Sequence, residues 1–196
     1  MNNVVFISGV PVFGKTDFIL DISKKLKYVE QHNIYSSSSD NTMFGEKLHQ
    51  IIKCRIDYDN IQEIAKVNPQ KIFLCDQSVY DVKVRLDTVY ELGWINEEQY
   101  SSSTNMLYAL FHDDVMFPKY NYLFMPSLEK AQTWIERIKN TLWKVTNEYE
   151  QYLNKVYDNY YKLNKDNIKV VEDLTVRGRM SIMKKELEEI YLKECL

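Results

Sequence analysis

The chain has 196 residues, of which 45% are hydrophobic and 27% are charged, and its formal net charge is −3. These values describe one globular domain, residues 1–196, that can bury a core without disulfides or metals. They give no reason to expect a basic nucleic-acid-binding surface or a membrane span. The three cysteines have no C-x-x-C spacing and no leader precedes the first strand, so we expect a cytoplasmic protein with free thiols.

The first strand and the loop after it carry the strongest motif in the sequence. Val4 to Ile7 are strand-forming residues, and an amphipathic helix with Phe18, Ile19 and Ile22 on one side follows the loop. The loop matches the phosphate-binding pattern G-x-x-x-x-G-K-T, and its residues are Gly9, Val10, Pro11, Val12, Phe13, Gly14, Lys15 and Thr16. The alternative is an ordinary βα turn with an exposed lysine, but the flanking strand and helix favour the phosphate-binding loop.

The chemistry of this motif follows from its geometry. Backbone N–H groups turn inward around a phosphate, and the positive end of the next helix dipole adds to the attraction. We expect Lys15 to reach the β- and γ-phosphates of ATP and Thr16 to offer its hydroxyl to Mg²⁺. Val12 and Phe13 are bulky where such loops carry small residues, which predicts a tighter or less regular cradle.

Four more short apolar runs alternate with helical patterns along the chain. They span Tyr28 to Glu30, Lys71 to Cys75, Tyr120 to Met125, and Ile168 to Val171. Strands that alternate with helices predict an α/β fold, in which a five-stranded parallel sheet is covered on both faces. Ligands of such sheets bind at the carboxyl ends of the strands. Besides the loop, the residues at those ends are Glu30, Asp76, Met125 to Ser127, and Glu172 with Asp173.

Six further helices are predicted after the second strand. Their spans are 44–67 as one or two helices, 79–92, 96 to about 117, 128 to about 142, 148–163 and 180–192. The first of them is expected to place its apolar residues on one face, namely Leu48, Ile51, Ile52, Ile56, Ile61 and Ile64. The polar segment 36–41 is predicted to be a loop at the rim of the site.

Two carboxylates follow predicted strands. Asp76, after the third strand, is placed where such folds hold Mg²⁺ through its waters; the alternative is a residue that only caps the next helix. Glu30 is expected to end the second strand and to point toward the substrate side of the γ-phosphate. Its alternative is a surface glutamate on a short edge strand.

Residues 76–100 and 122–139 resemble the deoxynucleoside kinase family. Asp76, Gln77 and Ser78 match the family's acidic-Arg-Ser motif after the third strand, and Asn96 opens a helix with the family's Asn-Glu-Glu element. Residues 122–139 match its fourth strand and the helix that leads into its arginine-rich lid. The resemblance implies a three-layer P-loop fold with a short lid. It also implies transfer of the γ-phosphoryl group from ATP-Mg²⁺ to the 5′-hydroxyl of a nucleoside.

The resemblance also implies roles for individual residues. Glu30 corresponds to the catalytic base, Gln50 to a base-reading glutamine, and Arg137 to a lid arginine that neutralises transition-state charge. Asp76 joins Thr16 around Mg²⁺, and Lys15 holds the phosphates. The substrate is expected to be a small nucleoside or nucleotide, with no nucleic-acid or membrane partner, and assembly as a homodimer is left open.

The departures from the family pattern concern its arginines. Gln77 stands where the family has a phosphate-contacting arginine, and the lid cations are reduced to Arg137, Lys139 and Lys144. Two outcomes are open: Lys83, a substrate-binding candidate, replaces the missing charges together with Arg85 and the lid cations, or the protein is a nucleotide-binding relative with weak or no kinase activity. An arginine at a transferred phosphoryl group can contribute on the order of 10³ to 10⁵ in rate, so its loss bears on activity.

These departures leave three rival interpretations. A nucleoside monophosphate kinase would differ only in its acceptor, but the scarcity of arginine argues against it. A non-catalytic, nucleotide-binding accessory protein is favoured by the missing arginines and disfavoured by the intact loop. A small ATPase switch has only the phosphate-binding loop in its support.

Overall fold

The computed structural model describes residues 3–33, 42–111, 119–140, 146–163, 166, 168–172 and 175–196. Its centre is a sheet of five parallel strands in the order β2-β3-β1-β4-β5. The strands are β1 Val4–Gly9, β2 Val29–Asn33, β3 Ile72–Asp76, β4 Asn121–Phe124 and β5 Lys169–Val171. Because β1 lies between β3 and β4, the carboxyl ends of these three strands meet at the middle of one sheet edge.

Within the described ranges, seven helices flank this sheet. They are α1 Lys15–Lys25, α2 Met43–Val67, α3 Val79–Glu91, α4 Glu97–Leu110, α5 Leu128–Asn140, α6 Asn147–Lys162 and α7 Val176–Glu194. The predicted α/β fold with a five-stranded parallel sheet is therefore confirmed. Across these described segments, we find no helix with the length and apolar character needed to span a membrane.

The strands are apolar on both faces because helices cover both. On one face, Val5 and Ile7 of β1 pack with α1 and with Met183 and Leu187 of α7. On the other face, Val4 and Phe6 pack with apolar residues of α2, α3 and α4. A third cluster joins the phosphate-binding loop to α3, α5 and α6. Alternating side chains of one strand thus contribute to two cores, as expected for a buried parallel sheet.

Two predicted elements differ from the observed ones. The second strand continues past Glu30 to Asn33. In α2, Ile51 and Ile61 are buried, whereas Ile52, Ile56 and Ile64 are exposed. The prediction of one apolar face was wrong because the buried positions follow a three-and-four spacing that skips the exposed ones: Ile51, Cys54, Tyr58, Ile61 and Ala65.

Other boundaries shift by a few residues. The last helix begins at Val176, four residues before the predicted start, with Thr175 as its N-cap. The helix predicted to run from 96 to about 117 ends at Leu110, because Phe111 is an extended C-cap, so that predicted end was wrong. The predicted rim loop at 36–41 lies outside the described residues.

Gly9, the last residue of β1, is held in close contact with β4. Its φ is 144°, and a Cβ placed on it would lie 2.5 Å from the carbonyl oxygen of Phe124. Any side chain here would force the two central strands apart, so the glycine is required by both conformation and space.

We predict that Gly9→Ala destabilises the fold by roughly 2–4 kcal/mol, since left-handed strain is added to a backbone clash. Gly93→Ala is the matched control, because Gly93 has a φ of 72° with open space around it. It should cost only about 1 kcal/mol. Urea unfolding of both variants measures the difference, and equal losses would contradict the close contact.

Candidate active site

The phosphate-binding loop runs from Gly9 at the end of β1 to Lys15 at the start of α1. Lys15 is only 6% exposed, and its Nζ donates hydrogen bonds to the carbonyls of Gly9 (2.8 Å) and Val10 (3.2 Å). Burial lowers the pKa of the Lys15 ammonium, while the carboxylates of Asp81 and Asp76 act in the opposite direction. The lysine is thus a desolvated cation folded back on its own loop.

Thr16 and Asp76 meet beside this lysine. The Thr16 hydroxyl donates to Oδ2 of Asp76, which ends β3. The other oxygen, Oδ1, is buried and has no hydrogen-bond partner among the described residues. Burial raises the pKa of the Asp76 carboxyl, against the effects of Lys15 and of the Thr16 hydrogen bond. The sequence predicted that Thr16 and Asp76 would share one site, and the structure places them in contact.

This pair suits a magnesium–nucleotide complex. A carboxylate oxygen without a partner and a hydroxyl are hard oxygen donors of the kind that Mg²⁺ prefers. Among the described residues, no group of three or more histidine, cysteine, aspartate or glutamate side chains could hold a metal. The ion would therefore take most of its ligands from phosphate and water, as is usual for Mg²⁺.

Asp81 organises the site but was not singled out from the sequence. Its side chain is fully buried, and Oδ1 accepts hydrogen bonds from Gly9 N–H (3.2 Å) and from the Tyr160 hydroxyl (2.5 Å). Oδ2 accepts from Ser78 N–H (2.7 Å) and closes a capping box at the start of α3. The pattern Ser78-x-x-Asp81 was a usable signal, because this spacing marks a capped helix start.

The bulky loop residues point into the core. Val10 and Phe13 are fully or almost fully buried in the cluster shared with α5 and α6. Val12 adopts a φ of 69°, which is an outlier for a β-branched residue. The irregularity predicted at Val12 and Phe13 is therefore a strained backbone at Val12, whereas the side chain of Phe13 packs into the core.

Two side chains from other elements bind the outer side of the loop. Trp134 of α5 donates its indole N–H to the Val12 carbonyl at 3.0 Å. Arg179 of α7 is 3% exposed, and its Nη1 donates to the Phe13 carbonyl. The Arg179 guanidinium also lies 4.7 Å from the centre of the Phe124 ring. Arg179 belongs to no sequence motif, and Trp134 lies in the segment 122–139 without a role assigned to it, so pattern analysis missed both.

Three solved structures are similar to this chain in overall fold. Deoxyadenosine kinase from M. mycoides with bound dATP superposes with a TM-score of 0.65 and 19% identity, over 94% of this chain and 98% of that one. Thymidylate kinase from Candida albicans gives 0.62 and 16%, over 95% and 91%. Thymidylate kinase from Ehrlichia chaffeensis gives 0.60 and 14%, over 94% and 97%.

The chain has the fold of the P-loop nucleoside and nucleotide kinases. No family model and no curated protein matches its sequence. At these identities the likeness concerns the fold, so the roles of individual residues must be judged from their positions.

The position of Glu30 contradicts its predicted place at the end of β2. Glu30 is the second residue of the strand and lies opposite Phe73, whereas Asn33 lies opposite Asp76. Three residues of strand separate it from the sheet edge that holds Asp76, or about 10 Å. The Glu30 side chain is 45% exposed and pairs with Lys71. The prediction failed because the strand was ended too early, and the surface alternative describes Glu30.

The remaining candidates divide between the two sides of α3. Lys83 pairs with Asp87 at 2.5 Å and lies on the opposite side of the helix from Asp81. Arg85 lies one turn after Asp81, and its charge contributes to the electrostatics of Lys15 and Asp76, although burial is the largest cause of both pKa shifts. The expectation that α3 supplies the missing charge therefore stays a prediction for Arg85, whereas Lys83 pairs with Asp87.

On α2, Gln50 is buried beside another cation. Its amide oxygen accepts a hydrogen bond from Lys47 Nζ at 3.3 Å, and Lys47 is buried as well. Burial lowers the pKa of Lys47, and the charge of Arg85 on α3 acts in the same direction.

Gln77 directly follows Asp76 and is half-buried. Its N–H donates to the Ile7 carbonyl at 3.0 Å, and its φ is 84°. Arg137 is exposed on α5. The side chain of Lys139 and the whole of Lys144 lie outside the described residues.

The other strand ends form a separate cleft. Met125 to Ser127 and Glu172, both singled out from the sequence, border a space of about 490 Å³ at the ends of β4 and β5. Tyr157 of α6 also lines it and donates to the Pro126 carbonyl at 2.8 Å. Asp173 is outside the described residues.

We predict that Asp76→Asn stabilises the protein at neutral pH in the absence of nucleotide and Mg²⁺. Because the folded state raises the pKa of Asp76 above its ordinary value of 3.8, the unfolded chain releases this proton first as the pH rises, and the fold loses stability. The advantage of the asparagine should be present near pH 7.5 and disappear below about pH 4. Thermal unfolding at both pH values measures it, and a variant less stable than wild type at pH 7.5 would contradict the assignment.

Proposed function

We propose that this protein binds ATP-Mg²⁺ and transfers its γ-phosphoryl group to a small nucleoside or nucleotide. The contact between Thr16 and Asp76 beside the buried Lys15 carries the proposal. It joins a helix-start hydroxyl, a strand-end carboxylate and a loop lysine, the three side chains that such chemistry requires. The shared fold of deoxyadenosine and thymidylate kinases supports it.

In this proposal the loop residues act mainly by position and charge. Lys15 would exchange the carbonyls of Gly9 and Val10 for phosphate oxygens, which are stronger acceptors for an ammonium group. Thr16 and Asp76 would hold Mg²⁺, the latter through the oxygen that has no partner in the described protein. Bound Mg²⁺ would supply positive charge to the β- and γ-phosphates. Asp81 keeps Gly9 and α3 in register while the ligand binds.

The acceptor is proposed to lie between α2 and α3, beyond the ends of β2 and β3. Gln50 is the candidate for reading the base, because it is a buried amide at the inner side of α2. Arg85 would supply charge in place of the arginine absent at residue 77, the neutral amide of Gln77 would offer hydrogen bonds, and Arg137 would approach from α5. Our first choice of acceptor remains a 5′-hydroxyl. The cations Lys47 and Arg85 favour a monophosphate as the alternative.

A nucleotide-binding protein without turnover is the second candidate. It is favoured by the position of Glu30, since the residue of β2 in register with Asp76 is Asn33, and an amide does not accept a proton from a hydroxyl. In either case we propose a cytoplasmic location, consistent with the free thiols of Cys54, Cys75 and Cys195.

Lys15→Ala should abolish most of the thermal stabilisation by ATP-Mg²⁺, because it removes the cation that meets the β- and γ-phosphates. Lys24→Ala is the matched control, since Lys24 lies exposed on the same helix. Thermal unfolding with and without ATP-Mg²⁺ measures both variants. A ligand concentration of about 100 times Kd should raise the free energy of unfolding of the wild type by roughly 2.7 kcal/mol. Undiminished stabilisation of Lys15→Ala would remove the main site assignment.

Gln77→Arg and Glu30→Gln should separate the two candidate functions. A phosphoryl-transfer assay over nucleosides and monophosphates, with a no-acceptor control for ATPase activity, gives the readout. If the protein is a weakened kinase, Gln77→Arg restores a bidentate donor beside the phosphates and raises transfer well above twofold. Glu30→Gln should leave transfer unchanged, because the side chain pairs with Lys71 away from the site.

The opposite results are equally informative. Transfer lost in Glu30→Gln would contradict the placement of that residue on the surface. An active wild type that is impaired by Gln77→Arg would indicate a site rebuilt around the amide and Arg85. Inactivity of both wild type and Gln77→Arg, with ATP still bound, would favour the binding protein.

A further inference from the structure

The conformation of the phosphate-binding loop depends on residues outside it. Val12 stands at a left-handed backbone position, where a β-branched side chain is strained. Glycine would occupy this conformation without strain. Contacts from other elements must therefore stabilise this loop conformation, and those contacts are made to the Val12 and Phe13 carbonyls.

Two consecutive carbonyls of the loop are bound from outside by two different helices. Trp134 of α5 donates to the Val12 carbonyl, and Arg179 of α7 donates to the Phe13 carbonyl. Arg179 also lies near Gly14, with Nη1 3.6 Å from the place where a Cβ would stand. It is held there by burial and by the face of the Phe124 ring.

The planarity of the peptide group converts these contacts into an orientation of the loop amides. In a trans peptide the C=O and the following N–H point in opposite directions. A Val12 carbonyl held outward by Trp134 therefore turns the Phe13 N–H inward. By the same rule, the Phe13 carbonyl held by Arg179 turns the Gly14 N–H inward. Among the described residues, neither amide has an acceptor within the protein.

We propose that Trp134 and Arg179 are positioning residues that orient the Phe13 and Gly14 amides toward a bound phosphate. They hold the loop in a conformation that glycine, but not valine, would adopt at position 12 without strain. The inference rests on the proposed function insofar as it names phosphate as the ligand. The linkage between the two side chains and the strained Val12 is a property of the protein alone. It also makes α5 and α7 part of the phosphate site, although neither contributes a loop residue.

Binding of inorganic tripolyphosphate with Mg²⁺, followed by calorimetry well below the unfolding temperature, tests the proposal. Trp134→Phe removes the indole donor and keeps an aromatic ring, and Arg179→Met removes the guanidinium and keeps the stem. Each should weaken binding by roughly 5- to 30-fold. In each variant Val12 is free to leave its left-handed conformation, and ligand binding must then supply the free energy that returns it there. Arg179→Lys, which retains one donor, should lose less. Trp94→Phe is the control, because Trp94 is 39% exposed and is outside the apolar cluster that contains the loop residues.

Combination with Val12→Gly gives the readout that a general packing defect would not produce. Val12→Gly alters the loop itself and therefore serves as its own reference. The double variant Val12→Gly/Trp134→Phe should bind nearly as well as Val12→Gly, whereas Trp134→Phe should lose the full factor against wild type. Binding unchanged in Trp134→Phe and Arg179→Met, or a loss that Val12→Gly does not reduce, would overturn the proposal.

A ligand-free measurement keeps this test separate from the proposed function. In unfolding experiments on the apo protein, the gain in Tm from Val12→Gly should be larger in wild type than in Trp134→Phe, because strain persists only while the carbonyl is held. This difference supports the linkage even for a protein that binds no phosphate. Equal gains in the two backgrounds would overturn it whether or not ATP binds.

Discussion

The buried carboxylate of Asp81 is the interaction on which the rest of the site depends. It accepts from the first amide of the phosphate-binding loop, from the N-terminal turn of α3 and from Tyr160 of α6. Removing such an acceptor would leave buried donors unpaired at three elements, each with a desolvation cost of about 1–3 kcal/mol. Because the ends of β1 and β3 are joined through this group, Lys15 and Asp76 are held next to each other by Asp81 as well as by the sheet.

Most of the fold could be predicted because its signals are local. Each strand is a short apolar run with glycine, proline or polar residues at its ends, and the caps Ser78 and Asn96 mark the starts of α3 and α4. The end of β2 could not be read in this way. Residues 31–33 are Gln, His and Asn, which have low strand propensity, and they are extended because they pair with β3 in the sheet. Because the strand continues to Asn33, Glu30 lies within β2 and away from the site.

The site residues that lie in sequence motifs could be predicted, and the residues that contact the loop from distant helices could not. Lys15, Thr16 and Asp76 follow fixed spacings from strand ends, so sequence places them together. Trp134 and Arg179 reach the loop from 122 and 166 residues away, and no spacing rule connects such distant positions. Val12 offered a physical signal, since a bulky residue at a loop position that favours glycine requires compensation elsewhere. It could not indicate which side chains provide that compensation.

The electrostatics of Lys15 and Asp76 bear on whether the site is functional. Burial disfavours the charged forms of both Lys15 and Asp76. Lys15 donates to loop carbonyls and Asp76 accepts from Thr16, so each is bound to a neutral group. Apolar or amide side chains at these positions would fold with less cost, so the two groups are not explained by stability. Perturbed, opposite charges of this kind concentrate at functional sites. A magnesium–phosphate ligand would place an opposite charge beside each of them, and for this reason we favour a functional nucleotide site, even where the acceptor side departs from the kinase pattern.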